Sequence, residues 1–246
     1  QNEIQFDHEQ YIFAGELSLS GQLRPVTGSI AFAQLACRTR RTLVLPMESA
    51  SIANLMPNVN VIGADTLSEV IHIISGKATK RAILSLPVVP RPNYPDLAEV
   101  CGQTLARRAL EIAATGGHHL LFSGPPGCGK SMLAQRLPGI LPEMSSEEAL
   151  DCLRLRDLTA FETSKSLNSI NRPFRSPHHT SSTAALIGDR NLRPGEITLA
   201  HHGVLFLDEA PEFSRTALEA LREPIEDRTI RLCRAAGSVL YPASFI

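Results

Sequence analysis

An α/β fold built on a parallel sheet is what this sequence predicts, and three observations predict it. A short apolar run, HLLFSG at 119–124, leads directly into the glycine loop GPPGCGKS and then into the helix-like KSMLA, the strand, loop, helix order of a parallel α/β sheet. Downstream, GVLFLDEAPEF sets four apolar residues, Val204 to Leu207, before Asp208 and Glu209, which reads as a buried strand with an acidic end. Ahead of both, LPVVPRPNYPD carries Pro87, Pro90, Pro92 and Pro95, a spacing that disfavours helix and favours an extended linker. The reading is a smaller α+β domain over 1–86, a linker over 87–95 and an α/β core over 96–246.

The elements follow in order. GELSLSG and RTLVLP alternate or run apolar as strands do, while SIAFAQLACRT and TLSEVIHIISG have the apolar spacing of helices. After the linker, EVCGQTLARRALEIAATGG predicts a helix with Leu105, Ala109, Ile112 and Ala113 on one face, closed by Gly116 and Gly117. PEFSRTALEALREPIE predicts an amphipathic helix with Ala217, Leu218, Leu221 and Ile225 on one side and strain at Pro224 in its last turn. TIRLCRAAGSVLY predicts two short strands around Ala236 and Gly237.

Bulk composition narrows the function classes. With 246 residues and 43% hydrophobic content the chain can bury a core, and a net charge of -1 supplies no overall basic field, so any nucleic-acid contact is local. No apolar run reaches the roughly 18 residues of a membrane span, and the N-terminus lacks the basic start and apolar core of a signal peptide, so a cytosolic protein is expected. Cys37, Cys101, Cys128, Cys152 and Cys233 contain no CxxC pair, which fits independent reduced thiols. The chain starts without Met, as a fragment of a longer protein would.

Gly124, Gly129, Lys130 and Ser131 satisfy GxxxxGK[ST] between a strand and a helix, the setting that makes this string a phosphate-binding loop. Gly124, Pro125, Pro126, Gly127, Cys128 and Gly129 form the loop, whose backbone N–H groups would face phosphate oxygens, with Met132 just behind it. The helix starting near Lys130 adds its positive end. Lys130 would reach the β- and γ-phosphates and the Ser131 hydroxyl would ligate Mg²⁺. Asp208 would hold the same Mg²⁺ through water, and Glu209 would polarise the attacking water. ATP with Mg²⁺ is the expected ligand.

Beyond these motifs the sequence resembles the magnesium-chelatase-like AAA+ ATPases, specifically the bacterial ComM (YifB) family. The resemblance rests on LRPVTGSI, DLAEVCGQTLARRALEIAATGGHHLLFSGPPGCGKSMLA, RPFRSPHHTSS, RPGEITLAHHGVLFLDEAPEF and LEALREPIEDRTI, which run through most of the chain. It implies an AAA+ αβα core preceded by a partial Lon-protease-like, S5-like domain, and a nucleotide-dependent hexamer that drives branch migration of DNA during natural transformation. It also implies adenine contacts from the backbone of Val100, Cys101, Gly102 and Gln103, and Cys101 stands where relatives often carry a basic residue. VLFLDE matches the family's Walker B segment. YPASFI ends inside what the resemblance makes the sensor strand, so the polar sensor residue, arginine finger and lid would lie beyond it, and this stretch by itself is expected to turn nucleotide over poorly. A Lon-type Ser-Lys dyad cannot be completed from residues 1–76, because no lysine occurs among them, so proteolysis is not expected.

The remaining polar clusters have plainer readings beside functional ones. His118 with His119 and His201 with His202 sit in strand-like runs, where neighbours point to opposite faces and cannot share a metal ion. RPFRSPHHTSS gathers Arg172, Arg175, His178 and His179 in a proline-broken loop that either contacts DNA phosphates or a neighbouring subunit or is simply solvated. Arg228, Arg231 and Arg234 on the expected hairpin are either a DNA contact or a polar strand face. The basic run RTRR at 38–41 reads as a helix end. With 5% aromatic residues and no Trp, base stacking is not the main grip on any nucleic acid. The alternatives to a DNA motor are a chelatase-type ATPase subunit acting on a metal-insertion or protein client, and a nucleotide-gated assembly module.

Overall fold

The computed structural model describes residues 6–79, 81–83, 94–159, 171–234 and 237–246. The chain divides into two compact units. Within the described residues, the first comprises the N-terminal segment up to residue 83 together with 156–159, and the second comprises 94–155 together with 171–246. Pro87, Pro90 and Pro92 of the expected linker lie outside the described residues.

The first unit holds strands β1 (Tyr11–Phe13), β2 (Glu16–Leu17) and β3 (Leu23–Arg24), helix α1 (Ser29–Thr39), β4 (Thr42–Pro46), α2 (Met47–Ala53), β5 (Val61–Ala64) and α3 (Leu67–Ile74). A parallel three-stranded sheet runs β1-β4-β5, with Val44 opposite Phe13 on one side and Ile62 on the other, while β2 and β3 form a small antiparallel pair. The central strand β4 is buried from Leu43 to Pro46, as a continuous apolar run TLVLP requires when both faces are covered. Ala33, Ala36, Ala50 and Ala53 pack α1 and α2 against one face, and Val70 and Ile73 of α3 pack against the other. Thr66 and Glu69 cap α3 reciprocally, the Thr66 hydroxyl accepting from the Glu69 amide at 3.2 Å and the Glu69 carboxylate accepting from the Asp65 amide at 2.9 Å.

Helix α1 has no local cap, because Gly28 offers no side chain there. Asp157 supplies it: its Oδ2 accepts the Ile30 amide at 2.9 Å, and its carbonyl accepts the Gly28 amide at 3.2 Å. This distant cap is why residues 156–159 belong with the first unit, although the sequence reading places all of 96–246 in the second.

The second unit holds α4 (Thr104–Gly116), α5 (Lys130–Ala134), α6 (Leu137–Ile140), α7 (Ser146–Asp157, whose last residues belong to the first unit), β6 (Phe174–Arg175), α8 (Thr183–Ile187), α9 (Glu196–Leu199), β7 (Val204–Leu205), α10 (Arg215–Glu219), α11 (Arg222–Asp227), β8 (Thr229–Arg234) and β9 (Gly237–Pro242). Strand β7 is the centre. It pairs in parallel with β6, and on its other edge the Leu205 amide donates to the Ile246 carbonyl at 2.9 Å while the Ile246 amide donates to the Gly203 carbonyl at 3.0 Å. Alternation along β7 then divides its side chains between two cores. Val204 packs with Leu97, Val100, Leu110, Leu133 and Leu137 of the α4–α6 side. Leu205 and Leu207 pack with Leu186, Ile197, Phe213, Ala217 and Leu221 on the other, giving an αβα layering around a short parallel sheet.

Four expectations change. Residues 118–125 carry no regular strand: Phe122 joins the α4–α6 core, but Leu121 is 88% exposed and this segment has no ladder, and without ladder hydrogen bonds an extended run is not a strand. The β7 ladder covers only Val204 and Leu205 of the expected four residues. Helix α4 buries Leu110, Ala113 and Ala114 and leaves Leu105 and Ile112 exposed, because it is the Leu110 and Ala114 side that shares a core with Leu133 and Leu137. The helix expected at 211–226 is two, α10 and α11, with Ala217 and Leu221 buried but Leu218 and Ile225 exposed. Pro224 therefore sits in the first turn of α11, where its missing N–H costs no helical bond, instead of straining a last turn.

Candidate nucleotide site

The loop after 119–123 gets its shape from glycine. Gly127 and Gly129 have φ of 78° and 89°, a region that side chains strain to occupy, and the chain there bends round into α5. A side chain on Gly124 would also press on the Cys128 sulfur, with 3.0 Å left to it. The turn is closed by Lys130, whose Nζ donates to the Gly124 carbonyl at 2.8 Å and the Pro125 carbonyl at 3.0 Å. The ammonium thus occupies the middle of the loop, the place of positive charge that phosphate oxygens would meet. Helix α5 is only five residues long, so the helix-end contribution expected from sequence is small.

Two segments far apart in sequence meet beside this loop. The Ser131 hydroxyl, at the second position of α5, donates to Asp208 Oδ2 at 2.8 Å. Asp208 follows β7, and its other oxygen accepts the Glu209 amide at 3.1 Å. Glu209 adopts a left-handed φ of 52°, which turns its side chain out to solvent, 67% exposed, with Oε2 at 3.5 Å from His179 Nδ1. Loop, Met132, Asp208, Glu209, His179 and Phe206 line one cleft of about 1280 Å³.

The expected base-side segment touches the loop, although none of Val100, Cys101, Gly102 and Gln103 lines this cleft. Val100 is buried and its carbonyl accepts from Arg107 Nη1 at 3.3 Å, Cys101 is exposed, and Gly102 and Gln103 both take positive φ, 71° and 52°. The Gln103 side chain reaches the loop itself, Nε2 donating to the Cys128 carbonyl at 2.8 Å. Arg136, two residues past α5, makes the opposite crossing: Nε donates to the Asp96 carbonyl at 2.9 Å, Nη2 pairs with Glu99 at 3.0 Å, and Nη1 donates to the Met132 carbonyl at 3.0 Å. Neither Arg136 nor the Gln103 side chain stands out in the sequence, since both are ordinary helix-flank polar residues until the fold sets their partners.

Two arginines of the arginine-rich loop are bonded to the rest of the unit. Arg172 donates to the carbonyls of Pro142 at 2.6 Å and His202 at 2.7 Å, and Arg175 forms a two-bonded pair with Glu196 at 2.6 Å. These bonds tie both guanidinium groups to the protein around β6, so neither is simply a solvated cation of the loop. Arg228, Arg231 and Arg234 are exposed on or beside the β8–β9 hairpin.

His201 and His202 also depart from expectation. They lie in a turn, His202 with φ of 59°, and their rings meet with centroids 3.7 Å apart at a 40° tilt instead of pointing apart. With Asp151 they bring ligand-type atoms within 4.8 Å of one another. Yet His201 Nδ1 accepts the Ser244 amide at 3.0 Å, which leaves the proton on Nε2, so the neutral ring is a donor there and not a metal ligand. Burial, with His202 beside it, lowers the His201 pKa to about 4, and burial lowers that of His202. Backbone donation from Ser145, with Arg172 and His202 nearby, holds Glu148 below the usual carboxylate range.

Among the described residues no helix is long and apolar enough to cross a membrane. Residues 96–246 match the family model described as magnesium chelatase, subunit ChlI. A protein of Salmonella typhimurium, uncharacterized protein YifB, is 44% identical over 238 residues, covering 96% of this chain and 47% of its own. Competence protein ComM of Haemophilus influenzae is 43% identical over 249 residues, covering 96% of this chain and 48% of its own. An uncharacterized protein of Mycobacterium tuberculosis is 42% identical over 240 residues, with 96% and 48% covered. The chain thus spans about half the length of the relatives it matches. The glycine loop joined to Asp208 and the αβα layers about β7, with a family match over 96–246, place this chain in the magnesium-chelatase-like AAA+ ATPases of the ComM/YifB family.

Proposed function

We propose that the chain is the nucleotide-binding portion of an ATP-driven motor that remodels DNA. The observation that carries the nucleotide assignment is the 2.8 Å bond between Ser131 and Asp208, which sets a hydroxyl and a carboxylate side by side at the mouth of the glycine loop. Two hard oxygen donors next to an ammonium suit a Mg²⁺–triphosphate pair, and the positive-φ glycines leave room for phosphate oxygens at the backbone. Magnesium, when bound, supplies positive charge to the β- and γ-phosphates.

In this reading Ser131 ligates the ion and Asp208 holds it through water. Lys130 leaves the Gly124 and Pro125 carbonyls for the phosphates, exchanging neutral acceptors for charged ones. Glu209 orients water and takes its proton. Its carboxylate is exposed at the cleft edge, with His179 as its neighbour. The loop amides, Met132 and the backbone of Val100, Cys101, Gly102 and Gln103 enclose the rest of the nucleotide.

The DNA client is supported by the similarity to a competence protein and by the exposed Arg228, Arg231 and Arg234, which offer local positive charge on a chain of net charge -1. A hexameric ring in the cytoplasm, assembled with nucleotide, completes the reading. The matched family description favours a second one, a chelatase-type subunit that drives metal insertion or works on a protein client. Steady-state ATP hydrolysis by the full-length protein, alone and with single-stranded or branched DNA, separates them, with Glu209→Gln as the blank. Strong stimulation by DNA is expected; an ATPase indifferent to DNA favours the chelatase-type reading.

A further inference from the structure

The base-side segment and the phosphate loop are joined by two crossing bridges, one from each side. Gln103 reaches from the base side to the Cys128 carbonyl, and Arg136 reaches from beyond α5 to the Asp96 carbonyl and the Glu99 carboxylate. Between them lies apolar packing that includes Leu97, Val100, Leu133 and Leu137. Apolar contact holds two segments together but does not set their register, since it is non-directional. A planar guanidinium with three bonded nitrogens does set it. The Arg136 side chain is itself 13% exposed, whereas its partner Glu99 is open to solvent at 63%. Its third bond, to the Met132 carbonyl, ties the same guanidinium to the helix that begins with Lys130 and Ser131.

The Gln103 bridge acts on the loop at one peptide. Carbonyl and amide of a trans peptide point in opposite directions. The bond from Gln103 to the Cys128 carbonyl therefore also fixes the direction of the Gly129 amide, on the opposite side of the same peptide.

We propose that Arg136 is a positioning residue that holds the base-side segment in register with the phosphate loop, with Gln103 as its counterpart from the other side. One ligand can then engage both subsites at once. The inference rests on the reading of 100–103 and 124–132 as the two halves of a nucleotide site.

The test compares a ligand that spans both halves with one that fills only the loop. Binding of a fluorescent MgADP, and its displacement by ADP or by inorganic tripolyphosphate, are measured on the full chain and on Arg136→Met, Arg136→Lys and Gln103→Met. The expected result is about a tenfold loss of ADP affinity in Arg136→Met, with tripolyphosphate affinity within about twofold of the parent, and a smaller change in the same ratio for Gln103→Met. Arg136→Lys, which keeps the charge and loses the fork, falls between. Should Arg136→Met fail to fold, Gln103→Met at its exposed position and Arg136→Lys carry the comparison. An unchanged ADP to tripolyphosphate ratio in all variants overturns the inference while leaving the nucleotide site standing. Equal losses for both ligands also overturn it, since they mean damage to the loop alone. A parent chain that binds neither ligand overturns the nucleotide site and this inference with it.

Discussion

Ser131 Oγ and Asp208 Oδ2 stand 2.8 Å apart, a hydroxyl from the start of α5 against a carboxylate just past β7. The bond leaves lone pairs on both groups, so the pair offers two hard oxygen donors beside the glycine loop.

Removing either partner is therefore expected to act on the metal first. Ser131→Ala and Asp208→Asn should each weaken the apparent affinity for Mg²⁺ by about tenfold or more, read from ATP hydrolysis by the full-length protein titrated with Mg²⁺. Chelation should abolish hydrolysis in the parent. A magnesium titration unchanged in both variants would remove the ion from this site.

Lys130 and Glu209 should separate binding from turnover. Lys130→Ala takes away the ammonium at the centre of the loop and is expected to lower nucleotide affinity by about a hundredfold. Glu209→Gln keeps shape and loses the proton acceptor, so binding should persist while turnover falls by about 10² to 10⁴. Equilibrium binding alongside single-turnover hydrolysis distinguishes the two; equal loss of binding in both variants contradicts the division of roles.

His201 should make the fold acid-sensitive. Its pKa is about 4 in the folded chain against an ordinary 6.5, so between these values the unfolded chain binds a proton that the folded chain does not. The stability attached to the neutral ring is complete above pH 6.5 and is lost progressively as pH falls toward 4, on the order of 3 kcal/mol in all. His201→Asn keeps an acceptor for the Ser244 amide and has no such titration. Urea unfolding at pH 4.5 and 7.5 should show a smaller pH difference for that variant; identical pH profiles would refute it.

Asp157 should matter to a helix that is remote in sequence. Its carboxylate is 3% exposed and caps the start of α1 through the Ile30 amide. Asp157→Ala leaves that amide buried and unpaired, an expected loss of about 2 kcal/mol, and Asp157→Asn, which keeps an acceptor, should lose less. Denaturant unfolding gives the magnitude. Amide exchange at Ile30 localises it, and unaltered protection there would place the effect elsewhere.

Much of the site is legible before folding because phosphate binding imposes local rules. The glycines and the Lys130–Ser131 pair announce themselves by spacing, and Asp208 with Glu209 by their place after an apolar run. Helices α1 and α3 are equally legible, since their apolar period is local. Legibility fails where a neighbour decides. The face that α4 buries is set by what Leu133 and Leu137 accept, and the strand character of 119–123 by whether a ladder partner runs beside it. Arg172 and Arg175 look like free cations in the string RPFRSP and turn out to hold the fold through Pro142, His202 and Glu196.

The sequence by itself determined the chemistry offered: a loop able to bend round phosphates, an ammonium, a hydroxyl and two carboxylates, each placed by backbone rules that reach only a few residues. Tertiary structure alone decided how those groups are held. It set Ser131 against Asp208, bonded Gln103 to the Cys128 carbonyl and Arg136 to Asp96, brought the His201 and His202 rings together in a turn, and brought Asp157 to cap α1. Such pairings depend on directional bonds between segments far apart in the chain, and no local pattern encodes which distant partner will satisfy a buried amide or an outward-facing carbonyl.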